Sequence, residues 1–237
     1  MEFFAMKRLP LLVAVLAVST AGYMLLTTTP TPAEATACAD DTLANYIALG
    51  SGGCTIDDKV FSDFSYPSTA TPSTSVIMVT PVTTPLNPGL QFAATWTAGG
   101  PTLVYSVRTV SGLPLIEDTS LFIEGSMTEQ SNLTGVQEYP CVGGTFPPQG
   151  SPCSSGHQFT MQATLNMTGS ASTSATFASP VALVGTNTHF TNLEAPQFVS
   201  LIREQFSEVP TTVPEPTSIL LMGTALLLLR KKLSSRS

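Results

Sequence analysis

Charge is what this sequence has least of. Only 11% of its 237 residues are charged, with 9 Lys+Arg against 16 Asp+Glu, far below the ~25% of an average soluble domain. Such a chain is neither a basic nucleic-acid binder nor a charge-rich disordered tail. Histidine is almost as scarce, at His157 and His189 only, and there is a single tryptophan, Trp96. No Gly-x-Ser-x-Gly elbow occurs, so the usual nucleophile turn is missing. No Cys-x-x-Cys occurs, and His157 follows Cys153 without a second ligand pair, which argues against zinc. Helical periodicity is nearly absent and no internal repeat is visible.

The two ends are different in kind from the middle. Lys7 and Arg8 precede an apolar run from Leu9 to Leu26, and a polar stretch then reaches Ala35-Thr36-Ala37 before Cys38. This is the layout of a signal peptide, 1–37, with a small-x-small cleavage pattern at Ala35 and Ala37 and a mature start at Cys38. The run is long enough that an uncleaved anchor is the alternative. Lipidation at Cys38 is the other, weakened by the absence of a preceding Leu. Export calls for the Sec machinery and signal peptidase.

At the other end, Val213-Pro214-Glu215-Pro216 is followed by an apolar segment containing Gly223 and then by Arg230, Lys231 and Lys232. This order resembles the PEP-CTERM sorting signal of Gram-negative bacteria, over about the last 25 residues. The resemblance implies recognition by exosortase, a membrane-embedded cysteine transpeptidase-like enzyme. It also implies transient residence in the inner membrane, then the outer envelope, cell surface or extracellular matrix, with extracellular polysaccharide as a further partner. The physics is compatible. Two prolines keep the backbone around Glu215 extended, and the basic cluster holds the end of the tail on the cytoplasmic side. The expected transmembrane segment, 217–229, is a hydrophobic helix short of the ~20 residues a span needs, which suits a transient signal. A plain tail anchor is the alternative.

Between the ends lies an expected exported domain, 38–208, followed by linker and sorting signal, 209–237. From Cys38 to Val213 there are 3 basic and 13 acidic side chains, a net charge of −10, which disfavours nucleic acid and anionic lipid. The body is rich in Thr, Ser, Gly and Pro. Short β-prone runs read as strands at Val60–Tyr66, Val76–Val82, Leu90–Trp96, Leu103–Val110, Leu121–Glu124, Phe159–Met167, Ala171–Phe177, Val181–Val184 and Phe198–Ile202. Strict alternation makes Phe159–Met167 the cleanest. The best helix is Asp41–Leu49, stopped by Gly50. The fold class expected is mainly β, an antiparallel β-sandwich or jelly-roll-like body. Pro67–Ser75 and Glu208–Val213 read as low-complexity linkers. The stretch from Thr42 to Cys54, with Ile56, Asp57, Lys59, Phe61, Phe64 and Tyr66 after it, resembles the start of a group of bacterial exported proteins that carry the same sorting signal. That local likeness implies a β-rich body and no particular activity.

Four cysteines, Cys38, Cys54, Cys141 and Cys153, stand in the exported part, an even count that reads as two disulfides. Proximity favours Cys38–Cys54 and Cys141–Cys153 among three possible pairings, each worth roughly 3 kcal/mol of chain entropy. The carboxylate pairs Asp40-Asp41, Asp57-Asp58 and Glu117-Asp118 are adjacent residues that face opposite ways on a strand, poor partners for acid/base work. Calcium binding by these pairs in a loop is the alternative, weakened because the Asp-x-Asp-x-Asp-Gly pattern is missing. Asn132-Leu133-Thr134 and Asn166-Met167-Thr168 fit the glycosylation sequon, as chance allows in a chain so rich in Asn and Thr. Ser154-Ser155-Gly156-His157 reads as a polar turn. No catalytic residue, metal ligand or cofactor is assigned. The reading is a non-enzymatic surface or matrix protein. The alternatives are a carbohydrate-binding sandwich, with Trp96 and Tyr105 or Tyr139 as stacking groups, and a tail-anchored hydrolase.

Overall fold

The computed structural model describes residues 35–97, 99–110, 114–126, 135–148, 150–165, 169–191, 193 and 196–209. The expected signal-peptide body, the Val-Pro-Glu-Pro motif, the 217–229 segment and both sequons lie outside these residues. Among the described residues no helix is long and apolar enough to cross a membrane.

The body is a β-sandwich of two sheets. Its strands are β1 (Thr36–Ala37), β2 (Asp41–Thr42), β3 (Cys54–Ile56), β4 (Lys59–Ser65), β5 (Met78–Val82), β6 (Gly89–Trp96), β7 (Thr102–Thr109) and β8 (Ile116–Ser126). They continue with β9 (Gly135–Glu138), β10 (Cys141–Val142), β11 (His157–Gln158), β12 (Met161–Thr164), β13 (Ser170–Val181), β14 (Leu183–Thr191) and β15 (Phe198–Gln205). Sheet I runs β1-β3-β4-β7-β14, and β14 then forks: its first half pairs with β10, which pairs with β11, and its second half with β9, which pairs with β12. Sheet II runs β13-β8-β15-β6-β5-β2. Every pairing is antiparallel except β1 with β3.

Alternation decides what faces the interior, because successive strand side chains point to opposite faces. On β7, Leu103, Tyr105 and Val107 are buried in the main core; on β6, Leu90, Phe92 and Trp96 are; on β15, Val199, Ile202 and the following Phe206 are. Trp96 stacks on Phe190 with ring centroids 4.9 Å apart, and its indole N–H donates to the Tyr66 hydroxyl at 3.3 Å. The tyrosine ring of Tyr105 stacks on Phe64 at 5.3 Å and meets Phe92 at 5.8 Å.

Several expected boundaries move. The one described helix, α1 (Leu43–Ala48), is shorter than expected at its start, because Asp41 and Thr42 pair with β5 instead. The Thr42 hydroxyl caps α1 by accepting from the Asn45 N–H at 3.4 Å. The cleanest alternating run, Phe159–Met167, is a paired strand only over Met161–Thr164 among its described residues. Phe159 stands outside the ladder and packs its ring edge-on against Phe177 at 6.2 Å. The Val181–Val184 strand is instead split by Ala182, with β14 extending to Thr191. Pro67–Ser75 is no linker: it is an ordered crossing from sheet I to sheet II. It is held by its own turn at Ala70 and by the Ala44 N–H donating to the Thr74 carbonyl at 3.1 Å.

Candidate functional site

The disulfides are the first feature built from the cysteines upward. Cys38 bonds Cys54 and Cys141 bonds Cys153, with Cα atoms 4.9 and 5.6 Å apart, and no described cysteine is free. The second closes a loop over the outer face of sheet I. There Val104, Cys141 and Phe146 form a small buried cluster, with Tyr139 and Cys153 against it. Gly185 on β14 makes this approach possible, because a Cβ there would lie 2.8 Å from the Thr145 Cα. Farther along, the Asn187 amide donates to the carbonyl of Gly150, itself at φ +80°. β7 is therefore buried on both faces: Leu103, Tyr105 and Val107 in the main core, and Val104 and Ser106 on the outer side that the loop covers.

A second feature surrounds Lys59, the only lysine between Cys38 and Val213. Its side chain is 0% exposed, and its ammonium lies 2.6 Å from Asp58 Oδ1 and 2.8 Å from Glu208 Oε1. A third bond goes to the Pro114 carbonyl at 3.2 Å, so all three N–H donors are matched. The Asp57-Asp58 pair serves this arrangement. Asp57 turns the β3–β4 hairpin at φ 51° and Asp58 neutralises the adjacent lysine. Burial raises the Glu208 carboxyl above its ordinary range, and the hydrogen bond from Lys59 opposes this. Glu208 also bridges Ile116 and donates its N–H to the Leu86 carbonyl at 3.0 Å. It belongs to the folded body, not to a linker.

The third feature is a polar cluster inside the sandwich. Glu138 on β9 and Glu204 on β15 project from opposite sheets into the interior, both 0% exposed. The register sets their neighbours: Thr188 lies opposite Glu138, and Thr186 opposite Tyr105. Tyr105 Oη donates to Glu204 Oε2 at 2.5 Å, and the Thr188 hydroxyl donates to Glu204 Oε1. Thr119, from β8, donates to Glu138 Oε1 at 3.3 Å. Glu138 Oε2 has no hydrogen-bond partner. Burial pushes the Glu138 carboxyl well above the carboxylate range, and the Glu204 charge adds to that. Burial also raises Glu204, while the Thr188 and Tyr105 hydroxyls pull it down. Tyr105 is held well above its ordinary value, first by burial and then by Glu204. Paired carboxyls can do acid/base chemistry where a substrate reaches them, but these two are 0% exposed.

Several sequence candidates fall elsewhere. Trp96, 1% exposed, and Tyr105, 0% exposed, are core residues and cannot stack a sugar; the inward faces of β6 and β7 bury them. Tyr139 is half-buried on the outer side, its hydroxyl donating to Gln137 Oε1 at 2.6 Å. His157 is exposed on the short strand β11, and His189 is half-buried on β14. Ser154 does not form a plain turn: its hydroxyl donates to the Thr145 carbonyl at 2.8 Å across the disulfide loop. Ala35 and Ala37 flank Thr36 in and beside β1, and Cys38 donates its N–H to the Thr55 carbonyl at 2.8 Å. Among the described residues no cluster of three or more His, Cys, Asp or Glu could hold a metal. The buried Glu pair and the Lys59 arrangement were missed in the sequence. Their one available signal was a lone lysine in so acidic a body.

These features define a disulfide-stapled β-sandwich suited to an oxidising compartment. No family model matches the chain, and no curated protein does. Among solved structures it is similar to the enzymatically active domain of tailspike protein 4 from bacteriophage CBA120. Identity is 12% and the TM-score 0.30, over 69% of this chain and 21% of that one. The chain thus spans about a fifth of that protein's length, and so low a score carries no argument about activity.

Proposed function

We propose that this is an exported surface or matrix protein of a Gram-negative bacterium, sorted and processed by exosortase, whose body acts without chemistry of its own. The observation that carries this reading is the order Val213-Pro214-Glu215-Pro216, apolar segment with Gly223, then Arg230-Lys231-Lys232. Two structural facts support it. The disulfides fit export through an oxidising compartment. The described body is closed at Glu208 and Val209, whose N–H groups bond Leu86 and Leu115 carbonyls at 3.0 and 3.1 Å, so a tail beginning there can be handled separately. The test is a C-terminal immunoblot with mass spectrometry in cells with and without exosortase. Cleavage at or beside Pro214-Glu215-Pro216 is expected, slowed by Glu215→Ala; a chain still ending in Ser237 in exosortase-positive cells would overturn the proposal.

A second reading adds contact with extracellular polysaccharide. It rests on a polar row across β9 and β12. Tyr139 bonds Gln137, Gln137 bonds Gln162 at 3.3 Å, and Gln162 bonds Thr164 at 3.3 Å. Side-chain amides beside a tyrosine edge offer a sugar both donors and acceptors.

A further inference from the structure

Two carboxyl groups inside one apolar core need a compensating positive charge or a proton. Among the described residues no cation serves Glu138 and Glu204. Lys59 is committed to Asp58, Glu208 and the Pro114 carbonyl. Arg203 immediately precedes Glu204 in sequence and therefore points to the opposite face, where its guanidinium sits over the Phe122 ring at 4.6 Å. Arg108 and His157 are exposed, and His189 alternates outward from Thr188 and Phe190.

The two carboxyls are also not equivalent. Each oxygen of Glu204 accepts a hydroxyl proton, one from Tyr105 and one from Thr188. That is the environment of an acceptor-only carboxylate. Glu138 accepts a single bond, from Thr119, and its other oxygen is unmatched and fully buried. An oxygen with no donor aimed at it is the natural seat of a proton.

We propose that Glu138 and Glu204 carry one proton for the pair, seated on Glu138, and that its loss under alkaline conditions weakens the packing of the two sheets around an uncompensated buried charge. The groups that face the pair are few. Tyr105 comes from β7, Thr188 from β14, Thr119 from β8, Leu90, opposite Glu204, from β6, and Met161, opposite Glu138, from β12. Tyr105 stays a donor, since burial and the Glu204 charge both raise its hydroxyl. Burial raises both carboxyls; the Glu204 charge raises Glu138 further, whereas the Thr188 and Tyr105 hydroxyls pull Glu204 back.

The sign follows from linkage. A carboxyl raised in the folded state binds a proton there that the unfolded chain has already released. Stability from it is complete below the ordinary carboxylate value of about 4.5 and falls as pH rises toward the folded value. The folding equilibrium constant drops by up to tenfold per pH unit in that window.

The test uses the full chain in mild detergent, unfolded by urea at a series of pH values. Glu138→Gln, a neutral isostere, should flatten this alkaline fall, so that the variant matches wild type near pH 5 and exceeds it progressively above. Glu204→Gln should be less stable at every pH, because Tyr105 and Thr188 donate to different oxygens and the amide turns one of these acceptors into an NH2 donor. Infrared difference spectra of wild type at neutral pH should show a protonated carboxyl band that Glu138→Gln removes. The proposal is overturned by a Glu138→Gln loss that is equal at all pH values, or by the absence of that band. It is also overturned by a calcium-dependent stabilisation that Glu138→Gln abolishes, which would make the pair a cation site. If the variants do not fold, the wild-type band decides alone.

Discussion

Lys59 offers the most direct test of how this body is closed. Its ammonium is fully buried, with Asp58 15% and Glu208 6% exposed, so solvent screens the pair little. At 2.8 Å and an effective dielectric of ~20, the gross attraction to Glu208 is about 6 kcal/mol. Desolvation of both groups cancels much of it. Removing one partner still strands the other, at a cost of about 3–5 kcal/mol. Lys59→Met keeps the stem's bulk and leaves Asp58 and Glu208 facing each other without a cation. A loss near 3 kcal/mol is expected, because Glu208 can relieve part of the repulsion by taking up a proton. Glu208→Gln keeps the shape and leaves Lys59 with Asp58, so about 1–2 kcal/mol is expected. In a double-mutant cycle by urea denaturation at neutral pH, the coupling should be about 2 kcal/mol. Additive losses, within ~0.5 kcal/mol, would refute the view that Lys59 holds the end of the body. The same variants should raise amide exchange at Glu208 and Val209, whose N–H groups are bonded to the Leu86 and Leu115 carbonyls.

Two further outcomes can be checked. Replacing Cys141 and Cys153 together with Ser should cost about 2–4 kcal/mol and should expose Val104 and Phe146, seen as faster exchange on β7 and as dye binding; unchanged exchange there would show that the loop docks without its disulfide. For polysaccharide contact, Tyr139→Ala should weaken retardation in affinity electrophoresis through the host's own polysaccharide, while Trp96 fluorescence stays constant on titration; a Trp96 change with Tyr139 irrelevant would move the contact elsewhere.

Local patterns made most of the strands legible. β6 and β7 alternate apolar and polar residues, and such alternation has one reading when a sheet has a core on one side. The mainly β class, the sandwich and the two disulfides follow from properties that each segment carries by itself. The expectation of export and sorting rests on the same kind of local signal, since Ala35, Ala37 and Val213 to Lys232 are linear motifs read without a fold. Where the outer face of sheet I is covered, the alternation misleads, because Val104 and Ser106 sit at positions that look solvent-facing and are buried by a loop anchored at Cys141.

What only the tertiary structure decided is which polar side chains meet in the interior. Glu138 and Glu204 stand 66 positions apart in the sequence, and nothing near either marks it as buried. Glu138 lies in a short strand too brief for periodicity to show. Glu204 alternates with Arg203 and Gln205 in what reads as a polar strand end. Register brings Thr188 opposite Glu138, and the closing of the two sheets brings Glu204 to Tyr105 and Thr188. Lys59 is the same case, since its partner Glu208 arrives only when the last strand has paired. A side chain's own chemistry states what it needs, a proton, a cation or a donor. Which of these it receives depends on contacts between distant segments, and those exist only in the folded chain.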